Sequence, residues 1–257
     1  MIHFAHANGI PSPTYQPLFD RLAPHSVIAL RQFGHNPKFP YSNNWTYLAD
    51  ELVDFLQQNT SEPVVAVGHS LGALVSFIAA CKYPDKFKGV LLLDPPLLFG
   101  THARVLRLAK FFRQSDLITP AGKSKTRKFK WNSREEAKQY FASKRLFQFE
   151  PACFDAFCNT AVEDRPDGSV ELTYKVDVEV GVFRNVPHNL SRYNLDPGMP
   201  AKVIYAIRSD ASLGQCIRPF CRYFGIPYEV IEGQHMYPLQ QPDLTAKLIH
   251  EFLDGLG

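Results

Sequence analysis

Short apolar runs recur along the chain at 2–7, 26–30, 64–68, 90–94, 202–207 and 228–231. Helical spacing fills several of the intervals. Leu48, Leu52, Phe55 and Leu56 fall on one stripe of a helix expected over 45–58, and Leu74, Val75, Ile78 and Ala79 do the same over 70–82. Leu244, Leu248 and Phe252 mark a last helix over 243–253, with one apolar face to dock. Runs that stay apolar rather than alternating belong to strands covered on both sides. Strands separated by helices therefore predict an α/β fold, a mostly parallel central sheet with helices on both faces.

Between Pro95 and about Pro187 the alternation stops. Residues 104–113 read as an amphipathic helix, with Val105, Leu108, Ala109 and Phe112 opposed to Arg104, Arg107, Lys110 and Arg113. A polar, basic stretch follows at 119–128, and the basic run 123–130 reads as a solvated loop of the cap rather than a phosphate-binding patch. Ser133 and Glu136 have the spacing of a capping box, opening a helix that presents Ala137, Tyr140 and Phe141. A third helix is expected around Phe154, Phe157, Cys158 and Ala161, and Val170, Leu172 and Tyr174 alternate as in a short strand. The expected organisation is a core of 1–95 and 188–257, split by a mainly helical cap (lid) at 96–187. That cap should lie over the carboxyl ends of the strands.

Composition narrows the function classes. A chain of 257 residues can bury a substantial core, and 45% hydrophobic with 21% charged residues describes a globular protein. The net charge of +3 gives no argument for nucleic acid. No apolar run is long enough to span a membrane, and the start Met1-Ile2-His3-Phe4 lacks the pattern of a secretory signal. The five cysteines are odd in number and lack CxxC spacing, so reduced thiols in a cytoplasmic protein are expected. Oligomeric state is not legible.

The chemistry centres on Gly68-His69-Ser70-Leu71-Gly72, which closes the run at 64–68 and opens a helical pattern. A tight strand-to-helix turn holds a serine hydroxyl clear of the sheet, and flanking glycines permit the close backbone approach. Ser70 is thus the candidate nucleophile, and it needs a base and a carboxylate. His235 follows the last strand in Glu232-Gly233-Gln234-His235 and is the candidate base. Asp210, after the strand at 202–207, is the first choice for the acid; Asp94, ending the strand after the nucleophile helix, is the alternative. The oxyanion donors expected are the backbone N–H groups of Leu71 and Ile10, with Asn8 as alternative to the latter. His3 and His6 are three apart on one strand and so point to opposite faces, which argues against a metal pair. No metal or cofactor is called for.

With these residues in place, the chain resembles the α/β-hydrolase superfamily, in particular its members with a cap inserted after the strand that follows the nucleophile helix. Gly68-His69-Ser70-Leu71-Gly72 is similar to the nucleophile elbow, Arg208-Ser209-Asp210 to the acid loop and Gly233-Gln234-His235 to the histidine loop. Asn8-Gly9-Ile10-Pro11 is similar to the His-Gly-x-Pro oxyanion loop, with Asn8 in place of histidine. The resemblance implies Ser70, Asp210 and His235 as the triad. Serine at position 70 sets the chain apart from dehalogenases and epoxide hydrolases of similar shape, which use an aspartate. The activity implied is cofactor-independent hydrolysis of a small or medium carboxylic ester through an acyl-enzyme. The alternatives are C–C bond hydrolysis of a diketone-like substrate by the same triad, or a weakly catalytic ligand-binding protein.

Overall fold

The computed structural model describes residues 1–211 and 214–256. In chain order the strands are β1 (Ile2–Ala5), β2 (Val27–Ile28), β3 (Val64–His69), β4 (Phe87–Leu93), β5 (Lys130–Trp131), β6 (Val162–Asp164), β7 (Val170–Leu172), β8 (Ala201–Ala206) and β9 (Tyr228–Ile231). The longer helices are α1 (Thr46–Asn59), α2 (Leu71–Lys82), α3 (Thr101–Phe111), α4 (Arg134–Ala142), α5 (Pro151–Thr160), α6 (Val176–Arg184), α7 (Gly214–Phe224) and α8 (Pro242–Asp254).

Six strands form one sheet in the order β2-β1-β3-β4-β8-β9, and every pairing in it is parallel. These are the six apolar runs of the sequence. In β3, β4 and β8 the apolar side chains divide between two layers, whereas the edge strand β9 leaves Tyr228 and Val230 exposed. Val64, Ala66, Val90, Leu92, Val203 and Tyr205 pack with α1, α2 and α7 on one face. Val65, Val67, Leu91, Leu93, Ile204 and Ala206 pack with α8 on the other. A strand buried on both faces has no reason to alternate apolar with polar, which is why the runs are continuous.

The order places β3 and β4 at the centre, so the loops after them emerge side by side. β4 and β8 are also neighbours, with Leu93 opposite Ile204. Backbone closeness is extreme at the β3–α2 turn. A Cβ on Gly68 would lie 2.3 Å from the Gly72 carbonyl oxygen, and one on Gly72 would lie 2.0 Å from the Ala5 carbonyl oxygen. Only glycine fits either position.

The stretch between β4 and β8 holds α3 to α6 and a three-stranded antiparallel sheet, β5-β7-β6. Ser133 Oγ accepts the Glu136 N–H at 3.1 Å, as the capping box requires, while the Glu136 carboxylate takes the Asn132 N–H instead of closing the box. Trp131, Phe141, Phe147 and Phe157 pack ring on ring as the apolar centre of this stretch. Phe141 is fully buried in this cluster, and Phe99 packs against Phe220 and Tyr223 of α7. Among the described residues, no helix is long and apolar enough to cross a membrane.

Candidate active site

Ser70 sits between the end of β3 and the first residue of α2 with φ 54° and ψ −116°, a backbone conformation most side chains avoid. Its own N–H is held by the Leu93 carbonyl at 2.9 Å, which ties the elbow to the adjacent strand. The residue is 8% exposed. His235, on the loop after β9, approaches so that Nε2 lies 3.0 Å from Ser70 Oγ.

The carboxylate behind His235 is Asp94, not Asp210. Asp94 Oδ2 lies 2.6 Å from His235 Nδ1, and Asp94 is fully buried. Its other oxygen accepts the Ala206 N–H at 2.7 Å, and Ser209 donates its hydroxyl to Oδ2 at 2.5 Å. Asp210 lies exposed in the turn after β8. The reason is geometric. The β4 and β8 loops are neighbours, so either could carry the acid. Asp94 terminates β4 with φ 46°, a left-handed turn that aspartate tolerates better than most residues. That turn aims the carboxyl at the histidine, and Ser209 from the β8 loop supports it with a hydroxyl. The sequence signal was present as an aspartate closing the strand after the nucleophile helix.

The oxyanion loop needs a second correction. The Ile10 N–H is taken by the Ala7 carbonyl at 3.1 Å, within a turn that Gly9 makes at φ 77°. It is not free to hold a substrate oxygen. Among the described residues, the backbone N–H groups of Asn8 and Leu71 have no hydrogen-bond acceptor, and the loop lies against the elbow because Gly72 N–H bonds the His6 carbonyl at 3.1 Å. Leu71 is the first residue of α2, where an N–H has no intrahelical partner. The Asn8 side chain turns the other way: its amide donates to the Glu179 carbonyl of α6 at 3.1 Å.

Sequence reasoning overlooked His69. Its pKa is pushed down to about 3, chiefly by burial and next by the neighbouring His235, so the ring is neutral. The His235 carbonyl can only accept, so His69 Nε2 carries the proton and donates to it at 2.9 Å. Nδ1 therefore accepts the Tyr15 hydroxyl at 2.7 Å, and the Tyr15 oxygen in turn accepts the Ala7 N–H at 3.3 Å. One buried chain of hydrogen bonds thus joins the oxyanion loop, the elbow and the histidine loop. The hint in the sequence was only that a histidine occupied the slot before Ser70.

Above the loop, Glu179 is buried and its carboxylate is met by Arg127 and, at 3.1 Å, by the Ser124 hydroxyl. The basic stretch read as a solvated loop is thus partly folded inward over the site.

Residues 4–248 match the family model described as "Alpha/beta hydrolase family". The chain belongs to that family. Its enzymes are hydrolases, and the relatives bear this out in their names. Lipase LipV of Mycobacterium tuberculosis is 24% identical over 248 residues, covering 92% of this chain and 88% of the lipase. Among solved structures, E-2-(acetamidomethylene)succinate hydrolase superposes with a TM-score of 0.78 at 23% identity, covering 99% of this chain and 91% of that one. The thioesterase domain from the curacin biosynthetic pathway gives 0.73 at 16%, covering 97% and 90%. At these identities the two structures speak for the fold.

Proposed function

We propose that the protein is a serine hydrolase of small or medium carboxylic esters, with Ser70, His235 and Asp94 as its triad. The observation that carries this reading is the unbroken relay from Asp94 to His235 at 2.6 Å and on to Ser70 at 3.0 Å. Ser70 Oγ attacks the ester carbonyl carbon as its proton passes to His235 Nε2. Asp94 keeps the imidazole in the tautomer with Nδ1–H and balances the imidazolium. The tetrahedral oxyanion is held by the Leu71 and Asn8 backbone N–H groups, each worth about 3 kcal/mol of barrier. His235 then protonates the departing alkoxide, and the acyl-enzyme remains. A water that gives its proton to His235 attacks the acyl carbon and releases the acid. No step needs a cofactor.

Residues 96–187 are read as the cap. α6 would seat it on the core through Asn8 and through the Trp45 ring N–H, which donates to the Val182 carbonyl at 2.9 Å. The full-length likeness to a protein named lipase supports ester chemistry. The substrate is taken to be a small molecule.

The test is a panel of p-nitrophenyl esters of increasing acyl length, run beside an acyl thioester and a β-diketone, on wild type and Ser70→Ala. Ester turnover abolished by the substitution is expected. Cleavage of the diketone alone would replace the ester reading by C–C hydrolysis, and turnover of none would leave a ligand-binding protein.

A further inference from the structure

Helix α3 buries only Leu106. Val105, Leu108, Phe111, Phe112, Leu117 and Ile118, on this helix and the turn after it, are from 49% to 79% exposed. Positions 105, 108 and 112 fall on one stripe of the helix, so the exposure forms a face rather than scattered residues. Single exposed apolar side chains need no explanation, whereas a contiguous face marks an interaction site.

The charge beside that face is equally one-sided. From 95 to 115 the chain has no acidic residue and carries Arg104, Arg107, Lys110 and Arg113. Arg104 and Arg107 line a cavity of about 500 Å³ together with Arg192, His188, Phe99 and Tyr223, and no carboxylate lines it. Among the described residues, Arg104, Arg107, Arg113 and Arg192 make no ion pair, whereas several cations further along between β4 and β8 are matched: Arg184 with Asp116, Lys128 with Glu136, Arg134 with Asp164. His188 is pushed down to about 4, first by burial and then by Lys110, Arg107 and Arg192. None of Ser70, Asp94 or His235 lines this cavity, so it is separate from the triad.

We propose that this face docks on an anionic phospholipid surface. The headgroup phosphate is taken by Arg104, Arg107 and Arg192, and the apolar side of α3 enters the boundary of the acyl chains. The planar guanidinium fork matches phosphate oxygens, and an amphipathic helix with basic flanks lies in the interfacial plane of a bilayer. A second copy of the chain is the poorer occupant, because a two-fold contact would set the same unpaired cations against themselves.

The experiment is co-sedimentation of the whole protein with vesicles of phosphatidylcholine, with and without phosphatidic acid. Arg104→Gln/Arg107→Gln and Phe111→Ser/Phe112→Ser/Leu117→Ser are compared with wild type. All five positions are exposed, so both variants should keep the wild-type circular dichroism and melting temperature, which is checked first. Wild type should pellet with the acidic vesicles and much less with phosphatidylcholine alone. Removing two arginines should weaken the partition roughly thirtyfold, and so should removing the apolar side chains roughly abolish it. Failure to pellet, or pelleting that neither variant reduces, overturns the proposal. So does calorimetric binding of glycerol 3-phosphate without vesicle binding, or a dimer in sedimentation velocity that the serine variant dissolves.

Discussion

Replacing Asp94 by asparagine isolates the acid, and the structure says how the new side chain will sit. The Ala206 N–H at 2.7 Å requires an acceptor, so the amide oxygen keeps the place of Oδ1 and the amide nitrogen takes the place of Oδ2. That nitrogen then donates toward His235 Nδ1 across the former 2.6 Å contact. The imidazole must shift its proton to Nε2, which faces Ser70 Oγ at 3.0 Å and can no longer accept the serine proton. A triad forced into this tautomer loses about 10⁴ in kcat, or about 5.5 kcal/mol, with the geometry otherwise kept. Asp210→Asn, in an exposed turn, should stay within about twofold of wild type, as surface changes do. The assay is steady-state hydrolysis of the best p-nitrophenyl ester across the pH range, with melting temperatures as the fold control. Asp94→Asn within tenfold of wild type, or an equal loss from Asp210→Asn, would refute the assignment.

Two further outcomes follow from buried polar groups. Tyr15→Phe leaves His69 Nδ1 and the Ala7 N–H without their partner, so stability should fall by about 1–3 kcal/mol in urea unfolding. Because the chain of bonds orients the catalytic loops rather than substrate, kcat should fall about tenfold with KM nearly unchanged; a change in KM alone would argue against this role. Acid should destabilise the fold between about pH 6.5 and pH 4. His3 and His69 are pushed down to about 3 and His6 to about 4, in each case mainly by burial, so the unfolded chain binds protons the folded one does not. Glu51, pushed up to about 7 by burial, runs the other way, since its cost is relieved as the pH falls. From pH 7 to pH 5 these three histidines and His188, pushed down to about 4 mainly by burial, cost about 7 kcal/mol and Glu51 returns about 2 kcal/mol, a net loss of about 5 kcal/mol. Chemical denaturation at the two pH values measures it, and equal stability at both would contradict it.

Much of this architecture is legible in the sequence. The central strands were readable because a parallel, doubly covered sheet leaves apolar runs, and the approach of His235 to Ser70 because each follows a strand on a loop with a local signature. The acid was not readable with certainty, since Asp94 and Asp210 close neighbouring strands and the choice turns on a backbone torsion at Asp94. Ile10 was the expected donor because Gly9 permits a tight turn just before it. The turn at Gly9 instead spends the Ile10 N–H internally and leaves that of Asn8. Residues 176–184 alternate valine with other residues as a strand would, yet form α6. There, packing overrides pattern: residues 178–182 are all buried, and the helix is fastened by Asn8 and Trp45. His69 could not be assigned a role from the sequence, because both its partners are distant in the chain.

The reactivity of one hydroxyl tests the whole account most directly. A fluorophosphonate incubated with the protein should add one phosphonyl group by intact mass, mapped by peptide sequencing to Ser70. Ser70→Ala should take up none, and Asp94→Asn should react far more slowly. An unmodified protein, or an adduct on another residue, would contradict the claim that Asp94 and His235 make Ser70 a nucleophile.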